Sequence, residues 1–426
     1  MPPIWLEKYG FGERSGFMRI LHTSDWHLGH SLYGRKRYEE FESFLNWLAK
    51  LLTQEEIDVL LVAGDIFDNT APSNRSQELY YRFLCQAAAS CCRYVVITGG
   101  NHDSPSFLNA PRDLLRYLQV YVVANIEENP DDEVLVLQNQ AGEAGLIVCA
   151  VPYLRDRDIR GVEIGESVED KERKLVEGIR AHYALVVDRA QEIRAGMEKP
   201  VPIIAMGHLF ASGGTTVKGD GVRDLYVGSL AHVGADVFPA AIDYLALGHL
   251  HTAQKIGRQE NYRYSGAPLP MGFGEAGQEK QVVKVEFADG RTRVTYIPVP
   301  VFRALYSIHG DWEQIAAELA RLKAEQAEAW LEVVYEGTEI ISDLREKLDE
   351  IVAGTGLEIL RSWNNRLWEQ DKQLMGEGEV LSELDVREVF ERCLQAHGIE
   401  EGERKELLKL FQEVVDALDT EDLMAE

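Results

Sequence analysis

Five short apolar runs, each breaking off into aspartate, histidine or asparagine beside a glycine, constrain this chain more than any other feature. Ser24-Asp25-Trp26-His27 follows Met18–Thr23, and Gly64-Asp65-Ile66-Phe67-Asp68 follows Asp58–Ala63. Gly100-Asn101-His102-Asp103 follows Tyr94–Thr98, Gly207-His208 ends Ile203–Met206, and Gly248-His249-Leu250-His251 ends Tyr244–Leu247. Runs of that length read as buried strands, and open α/β sheets bind ligands at the C-terminal ends of their strands. The glycines let the backbone turn sharply and leave room for a ligand close to the main chain.

Between these runs lie helical patterns at Tyr38–Gln54, Asn74–Ala89 and Glu166–Met197, and a further strand at Leu146–Val151. The alternation is that of an α/β domain. Gln281–Pro298 reads as a hairpin around Asp289-Gly290. After Pro300 the pattern changes to a small β-α-β-α-β module: Phe302–Ile308, Trp312–Gln326, Trp330–Tyr335, Ile341–Val352 and Leu357–Arg361. A polar stretch around Gln370–Glu379 reads as a linker, and two helical stretches follow, Glu383–Ala396 and Glu403–Leu418. In the second, Leu407, Leu408, Phe411, Val414, Val415 and Leu418 share one face at helical spacing. Two helices cannot bury that face alone, so it docks either on its own chain or on a partner. The expected organisation is an unstructured extension over 1–17, a main domain over 18–300, a second module over 301–375 and a helical segment over 376–426.

Residues 1–17 lack the basic start and apolar core of a signal peptide, and Met18 is the expected natural start. No run approaches the roughly 18–20 apolar residues of a membrane helix. The five cysteines form no Cys-x-x-Cys and include the adjacent pair Cys91-Cys92, which fits a reducing cytoplasm better than a disulfide framework. A net charge of −27 excludes a protein that coats nucleic acid by itself, though not a local basic groove. Residues 376–426 carry 16 acidic against 5 basic residues and are not expected to touch DNA.

The residue types at the strand ends suit divalent transition metals, since imidazole and carboxylate favour manganese, iron or zinc and no thiolate is present. Asp25-x-His27 and His249-x-His251, read as extended chain, put both side chains of each pair on one side and aim them at one ion. Asp65 can bridge two ions about 3.5–4 Å apart, the separation used in phosphoryl displacement. The Asn101 carbonyl can complete such a site without adding charge. Each element alone also reads as an ordinary strand end; the five in this order do not.

The series "SDWH…GDIFD…GNHD…GH…GHLH" resembles the calcineurin-like metallophosphoesterases. The longer runs "ILHTSDWHLGHSLYGRKR", "ITGGNHDSPSFLNAPRDLL" and "YSGAPLPMGFGE" resemble, within them, the nuclease subunits of SbcCD-type complexes. The resemblance is strong over about 18–301 and weaker beyond. It implies two packed mixed sheets flanked by helices, a small α/β capping module and a C-terminal helical segment. It implies two divalent ions, manganese foremost, held by Asp25, His27, Asp65, Asn101, His208, His249 and His251 with Asp65 as bridge. His102 corresponds to the catalytic histidine, contacting the phosphate and protonating or stabilising the departing 3′ oxygen. Asp68 stands where some relatives carry a second active-site histidine. The implied activity is exonuclease and endonuclease cleavage of DNA in end processing, repair, recombination and replication. The implied partners are DNA, an SbcC-type coiled-coil ATPase docked on the helical tail, and a second copy of the chain in a heterotetramer. The chain has no Gly-Lys pair and so no P-loop of its own.

Several residues keep two readings. Asp103 either orients His102 or forms a turn. Arg35, Lys36 and Arg37, with His30, either grip DNA phosphates or belong to a solvated helix start. The helices Tyr38–Gln54 and Asn74–Ala89 either dimerise, through Phe41, Phe44, Leu45, Leu48, Tyr80, Tyr81, Phe83 and Leu84, or pack on the sheet. His22, His182, His232, His309 and His397 read as structural. The rival functions are a calcineurin-like enzyme for nucleotides or phosphoproteins, and a non-catalytic scaffold; the intact strand-end residues argue against the second.

Overall fold

A computed structural model describes residues 18–127, 129–159, 167–211, 234–257, 259–288, 291–338, 341 and 343–364, with 390, 394, 404 and 407–411 beyond them. The expected 1–17 extension, the Asp289-Gly290 turn and most of the 376–426 segment lie outside the described residues. The chain divides into two compact units, Met1–Tyr306 with Glu328–Trp330, and Ser307–Ala327 with Leu331–Glu426.

The strands of the first half are β1 (Arg19–Thr23), β2 (Ser31–Leu32), β3 (Arg35–Lys36), β4 (Val59–Ala63), β5 (Tyr94–Thr98) and β6 (Val120–Val123). Next come β7 (Val134–Gln138), β8 (Ala144–Ala150), β9 (Ile203–His208), β10 (Tyr244–Gly248), β11 (Gln254–Lys255) and β12 (Tyr262–Tyr264). The hairpin β13 (Gln281–Ala288) and β14 (Arg291–Pro298) follows. The helices are α1 (Tyr38–Gln54), α2 (Asn74–Ala88), α3 (Pro105–Asn109), α4 (Arg112–Arg116), α5 (Asp156–Ile159) and α6 (Val168–Ala195).

Two six-stranded mixed sheets result, ordered β14-β13-β1-β4-β5-β6 and β11-β12-β10-β9-β8-β7. Their centres are parallel because helical crossovers join the strands, while pairs toward the edges such as β13–β14 and β7–β8 are antiparallel. Side-chain alternation explains the uninterrupted apolar runs. Val59, Leu61 and Ala63 of β4 share a core with Leu146 and Val148 of β8, Ile204 and Met206 of β9, and Tyr244 and Ala246 of β10. On the opposite face of the first sheet, Leu60 and Val62 pack with Phe41, Phe44 and Leu48 of α1 and Phe83 and Leu84 of α2. On the far face of the second, Ile203, Ala205, Leu245 and Leu247 meet Tyr183, Val186, Val187 and Ala190 of α6. Both faces of both sheets are therefore covered, giving helix, sheet, sheet and helix layers.

That packing corrects the dimer contacts. Phe41, Phe44, Leu45, Leu48, Tyr80, Phe83 and Leu84 are all buried within the chain and Tyr81 half-buried against them, because they supply the apolar face on which α1 and α2 meet the sheet. By contrast Leu114, Tyr117 and Leu118, on and just after α4, form a short exposed apolar group.

After Pro300 the elements are β15 (Ala304–Gly310), α7 (Trp312–Ala324), β16 (Ala329–Tyr335), α8 (Leu344–Val352) and β17 (Leu357–Asn364), with β16 central in a three-stranded sheet. A capping box between Asp311 and Gln314 starts α7, whose Ile315, Leu319 and Leu322 are buried. Farther on, the Phe390 and Phe411 rings stack at 4.1 Å, with Leu407 and Leu408 half-buried and Leu410 exposed. Among the described residues no helix is long and apolar enough to cross a membrane.

His22 joins the two sheets of the first unit: from β1, its Nδ1 meets the Tyr244 hydroxyl of β10 at 3.0 Å. Burial holds it neutral, pushing its pKa from 6.5 down to about 3. Below pH 6.5 the unfolded chain takes up a proton that folded His22 refuses until about pH 3, so stability falls as pH falls through that window. With chelator present, the loss of melting temperature from about pH 7 to about pH 4.5 should therefore be smaller in His22→Gln than in the native chain. Equal losses would show that His22 is not held neutral.

Candidate metal centre

The strand ends lie level. Thr23 pairs with Val62, Ala63 with Thr98, and Gly248 with His208, so the loops after β1, β4, β5, β9 and β10 emerge together. Three backbone bonds lace the first two loops: Asp25 N–H to Gly64 O (3.0 Å), His27 N–H to Asp65 O (3.0 Å) and Leu28 N–H to Ile66 O (2.9 Å). Gly64 is required there. Its φ is +82°, and a Cβ would stand 2.2 Å from Nδ1 of His208.

The extended chain expected at Asp25 and His27 is corrected: β1 has ended before them, and their φ values are +53° and +46°. Asp65 (+50°) and His249 (+100°) are left-handed as well. The side chains converge through tight turns rather than through strand alternation. Asp and His tolerate this region better than most residues, at a cost of about 1–3 kcal/mol each.

The turns bring all seven expected ligands together with His102. Nε2 of His27 faces Nε2 of His251 at 3.1 Å and lies 3.6 Å from Oδ2 of Asp65. The same Asp65 oxygen is 3.2 Å from Nε2 of His208, while its other oxygen accepts the His102 backbone N–H at 2.9 Å. Asn101 Oδ1 is shared between Nε2 of His208 (2.9 Å) and Nδ1 of His249 (3.0 Å). Asp25 accepts the His249 backbone N–H at 2.8 Å through Oδ1 and the Ser24 hydroxyl at 2.5 Å through Oδ2. Three overlapping groups have all their ligand atoms within 4.8 Å of one another: Asp25, His27 and His251; His27, Asp65 and His102; Asp25, Asp65 and His208.

Electrostatics test whether a cation fits. Asp25 and Asp65 are buried, and burial raises the carboxyl pKa of Asp25. For Asp65 burial acts the same way, but His208, His27 and His102 outweigh it and hold the carboxyl well below the usual range. His208 is pushed up to about 9, Asp65 and Asp25 overcoming the effect of its own burial. Burial and the neighbouring His208 drive His249 down to about 3, and burial lowers His27 well below 6.5. His27 and His249, held neutral, beside an ionised Asp65 form a donor set that suits a divalent ion. A proton on His208 is the alternative cation there.

The remaining candidates divide. Asp68 carries its Oδ1 2.9 Å from Nδ1 of His30 and 3.6 Å from Nδ1 of His27, and its carbonyl accepts from Nδ1 of His102 at 2.8 Å. Burial would raise the Asp68 carboxyl, but His30, His27 and His102 lower it. Asp103 accepts three backbone N–H groups, from Ile66, Phe67 and Gly100 at 2.9–3.1 Å, and so ties the β4 and β5 loops together; burial and nearby Asp65 raise it to about 6.

Two expected DNA contacts are corrected. Nδ1 of His30 is engaged by Asp68 and Nε2 by the Met271 carbonyl (3.1 Å), leaving neither nitrogen for a phosphate. Arg37 is 2% exposed, its guanidinium paired with Glu40 (2.6 Å) and the Pro270 carbonyl (2.6 Å). Arg35 and Lys36 are exposed on the β2–β3 hairpin, whose turn residues Tyr33 (φ +46°) and Gly34 (φ +82°) are both left-handed.

Sequence reasoning missed the layer behind the ligands. Ser265 bonds Ser24 (2.8 Å), which holds Asp25, and Glu275 with Lys280 stands behind His251. Ser265 and Glu275 fall in the run YSGAPLPMGFGE, whose resemblance was the only available signal for them.

Arg37→Ala would strand Glu40 and should lower stability by about 3–5 kcal/mol in urea unfolding, whereas exposed Arg35→Ala should stay within about 0.5 kcal/mol. A small loss at Arg37 would return it to the surface cations.

Comparison with known proteins accords with this geometry. Residues 18–253 match the family described as calcineurin-like phosphoesterase, and residues 301–398 match one described as type 5 capsule protein repressor C-terminal domain. The chain is 36% identical over 399 residues to SbcD, a subunit of the nuclease SbcCD, from Escherichia coli K12, covering 92% of this chain and 97% of that protein. It is 38% identical to SbcD of Rhodobacter capsulatus (66% of this chain, 69% of that one) and 34% to SbcD of Bacillus subtilis (64% and 67%). The chain therefore belongs to the calcineurin-like phosphoesterases, in the branch of the SbcD nucleases, and is a metal-dependent phosphodiesterase.

Proposed function

We propose that this chain is the manganese-dependent DNA-cutting subunit of an SbcCD-type complex, with exonuclease and endonuclease activity on DNA ends and hairpins. The two ligand groups without His102 carry the reading: Asp25, His27 and His251 form one, Asp25, Asp65 and His208 the other, joined by Asp25 and by the 3.6 Å approach of His27 to Asp65. Shared ligands of this kind suit two ions about 3.5–4 Å apart. Asp25, His27, Asp65, Asn101, His208, His249 and His251 then hold the ions, with Asp65 as the bridge. Nitrogen and oxygen donors without thiolate suit manganese. When bound, the ions supply charge stabilisation at the phosphate and an activated water.

The chain's own residues do the positioning. Asp65 is fixed through one oxygen by the His102 backbone, leaving the other toward His27 and His208. His102 is steered by its Nδ1–H bond to the Asp68 carbonyl, so the opposite nitrogen is left for the departing 3′ oxygen, to which the doubly protonated ring gives its Nε2 proton and returns to the neutral imidazole. Arg35 and Lys36 are the cations retained for DNA phosphates. His102→Asn should keep its manganese and lose about 10²–10⁴-fold in nuclease rate. Loss of metal together with rate would make His102 a ligand and overturn its role.

In the same reading the chain works with an SbcC-type coiled-coil ATPase and a second copy of itself. The relatives are named as one subunit of a larger nuclease, SbcCD, which supports a partner. The acidic 376–426 segment with its apolar stripe is the docking element. A chain ending before Gly376 should lose ATPase binding but keep manganese-dependent cleavage of short DNA. Retained binding would refute the docking assignment, and a monomer by light scattering of the full chain would refute the dimer.

A further inference from the structure

We propose that Glu275 is a positioning residue for His251, receiving the proton on Nδ1 so that Nε2 is aimed at the ligand cluster. The proposal rests on the reading of His251 as a metal ligand. Oε1 of Glu275 lies 3.6 Å from Nδ1 of His251, and the ring's opposite nitrogen faces His27 at 3.1 Å. The imidazole is thus placed between a carboxylate and the cluster, an arrangement that fixes tautomer and orientation and strengthens the ligand as a base.

The surroundings are built for it. Glu275 is wholly buried, and its other oxygen takes the Lys280 ammonium and the Met271 backbone N–H (3.2 Å). Among the described residues Oε1 makes no hydrogen bond; it faces the ring as an ion-pair partner at 3.6 Å, a gap that closes on a small shift of either side chain. Lys280 also donates to the His251 carbonyl at 3.2 Å, so one ammonium holds both the backbone of His251 and the carboxylate behind its ring. Burial favours the neutral acid, but His251 and Lys280 keep the Glu275 carboxyl below the usual range. Together Glu275 and Lys280 add no net charge, which limits the cost of burying them. His208 has the equivalent support from a backbone acceptor, its Nδ1 lying 2.9 Å from the Ala63 carbonyl; for His251 that acceptor is a side chain.

The test is manganese titration by calorimetry on the full chain: native, Glu275→Gln, His251→Ala and the double variant, with melting of each in chelator. Glu275→Gln should bind manganese about 10–100-fold more weakly. Its metal-free melting temperature should fall because Lys280 loses its counter-charge, whereas Glu275→Asp, which keeps that charge, should weaken binding with a smaller loss of melting temperature. In the His251→Ala background the same change should add nothing. Native affinity in Glu275→Gln overturns the proposal, as does a loss of equal size without His251, because Glu275 would then act through the fold. Should Glu275→Gln fold poorly, Glu275→Asp serves instead, since the retracted carboxylate keeps Lys280 and should still weaken binding. Absence of manganese binding by the native chain would instead refute the metal reading itself.

Discussion

The metal centre depends on backbone held in a conformation that ordinary residues avoid. Asp25, His27, Asp65 and His249 all have positive φ, and four such residues would cost about 4–12 kcal/mol if nothing compensated. The compensation is local and mutual. The β1 loop bonds to the β4 loop through Gly64, Asp65 and Ile66, and Asp103 binds the β4 loop to the β5 loop. Asp25 binds the β10 loop through the His249 backbone. The proposed ligands also fasten the loops: Asp25 and Asp65 each commit an oxygen to another loop's N–H. The residues proposed to hold the ions are thus the same ones that tie the loops together.

That arrangement gathers charge where water is scarce. Two buried carboxylates in one pocket repel each other and lose solvation, which only a cation offsets. His208 can supply one as a proton, lying 3.2 Å from Asp65 and 4.0 Å from Asp25. Under the proposed reading a divalent ion would supply more charge to the same oxygens and would need a neutral His208, so that its binding would be accompanied by proton release. The five strand ends thus describe a place that is unfavourable without a cation, which is the physical content of the motif.

Much of this is legible in the residues alone, and the failures have identifiable causes. Strands buried on both faces leave apolar runs such as Val59–Ala63 whose ends are sharp, so the five ligand loops stand out in order. Helix α1 matches its expected span of Tyr38–Gln54 because its apolar positions recur at helical spacing. That spacing does not say what covers the face, and the aromatics of α1 and α2 serve their own sheet. Arg37 reads as a surface cation because its carbonyl partner, on Pro270, lies 233 residues away. The spacing of Asp25 and His27 suggests the right convergence by the wrong route, since left-handed turns have no signature beyond the glycines beside them. Glu275 is invisible for the same reason as Arg37: its meaning lies in His251, and only folding brings the two together.

The acid excess of the chain takes a definite shape once the partners of its cations are traced. Arg37 and Lys280 are buried and engaged by carboxylates of their own chain, so neither cation faces outward. Arg35 and Lys36 sit on the β2–β3 hairpin, whose turn residue Tyr33 stacks on Phe273 at 5.7 Å, two residues from Glu275. The segment that supports His251 therefore also anchors the basic hairpin. Under the proposed reading, a phosphate gripped by the hairpin is referenced to the same element that supports the metal ligand His251. An acidic subunit can then orient DNA with two well-placed charges while leaving bulk affinity to other chains.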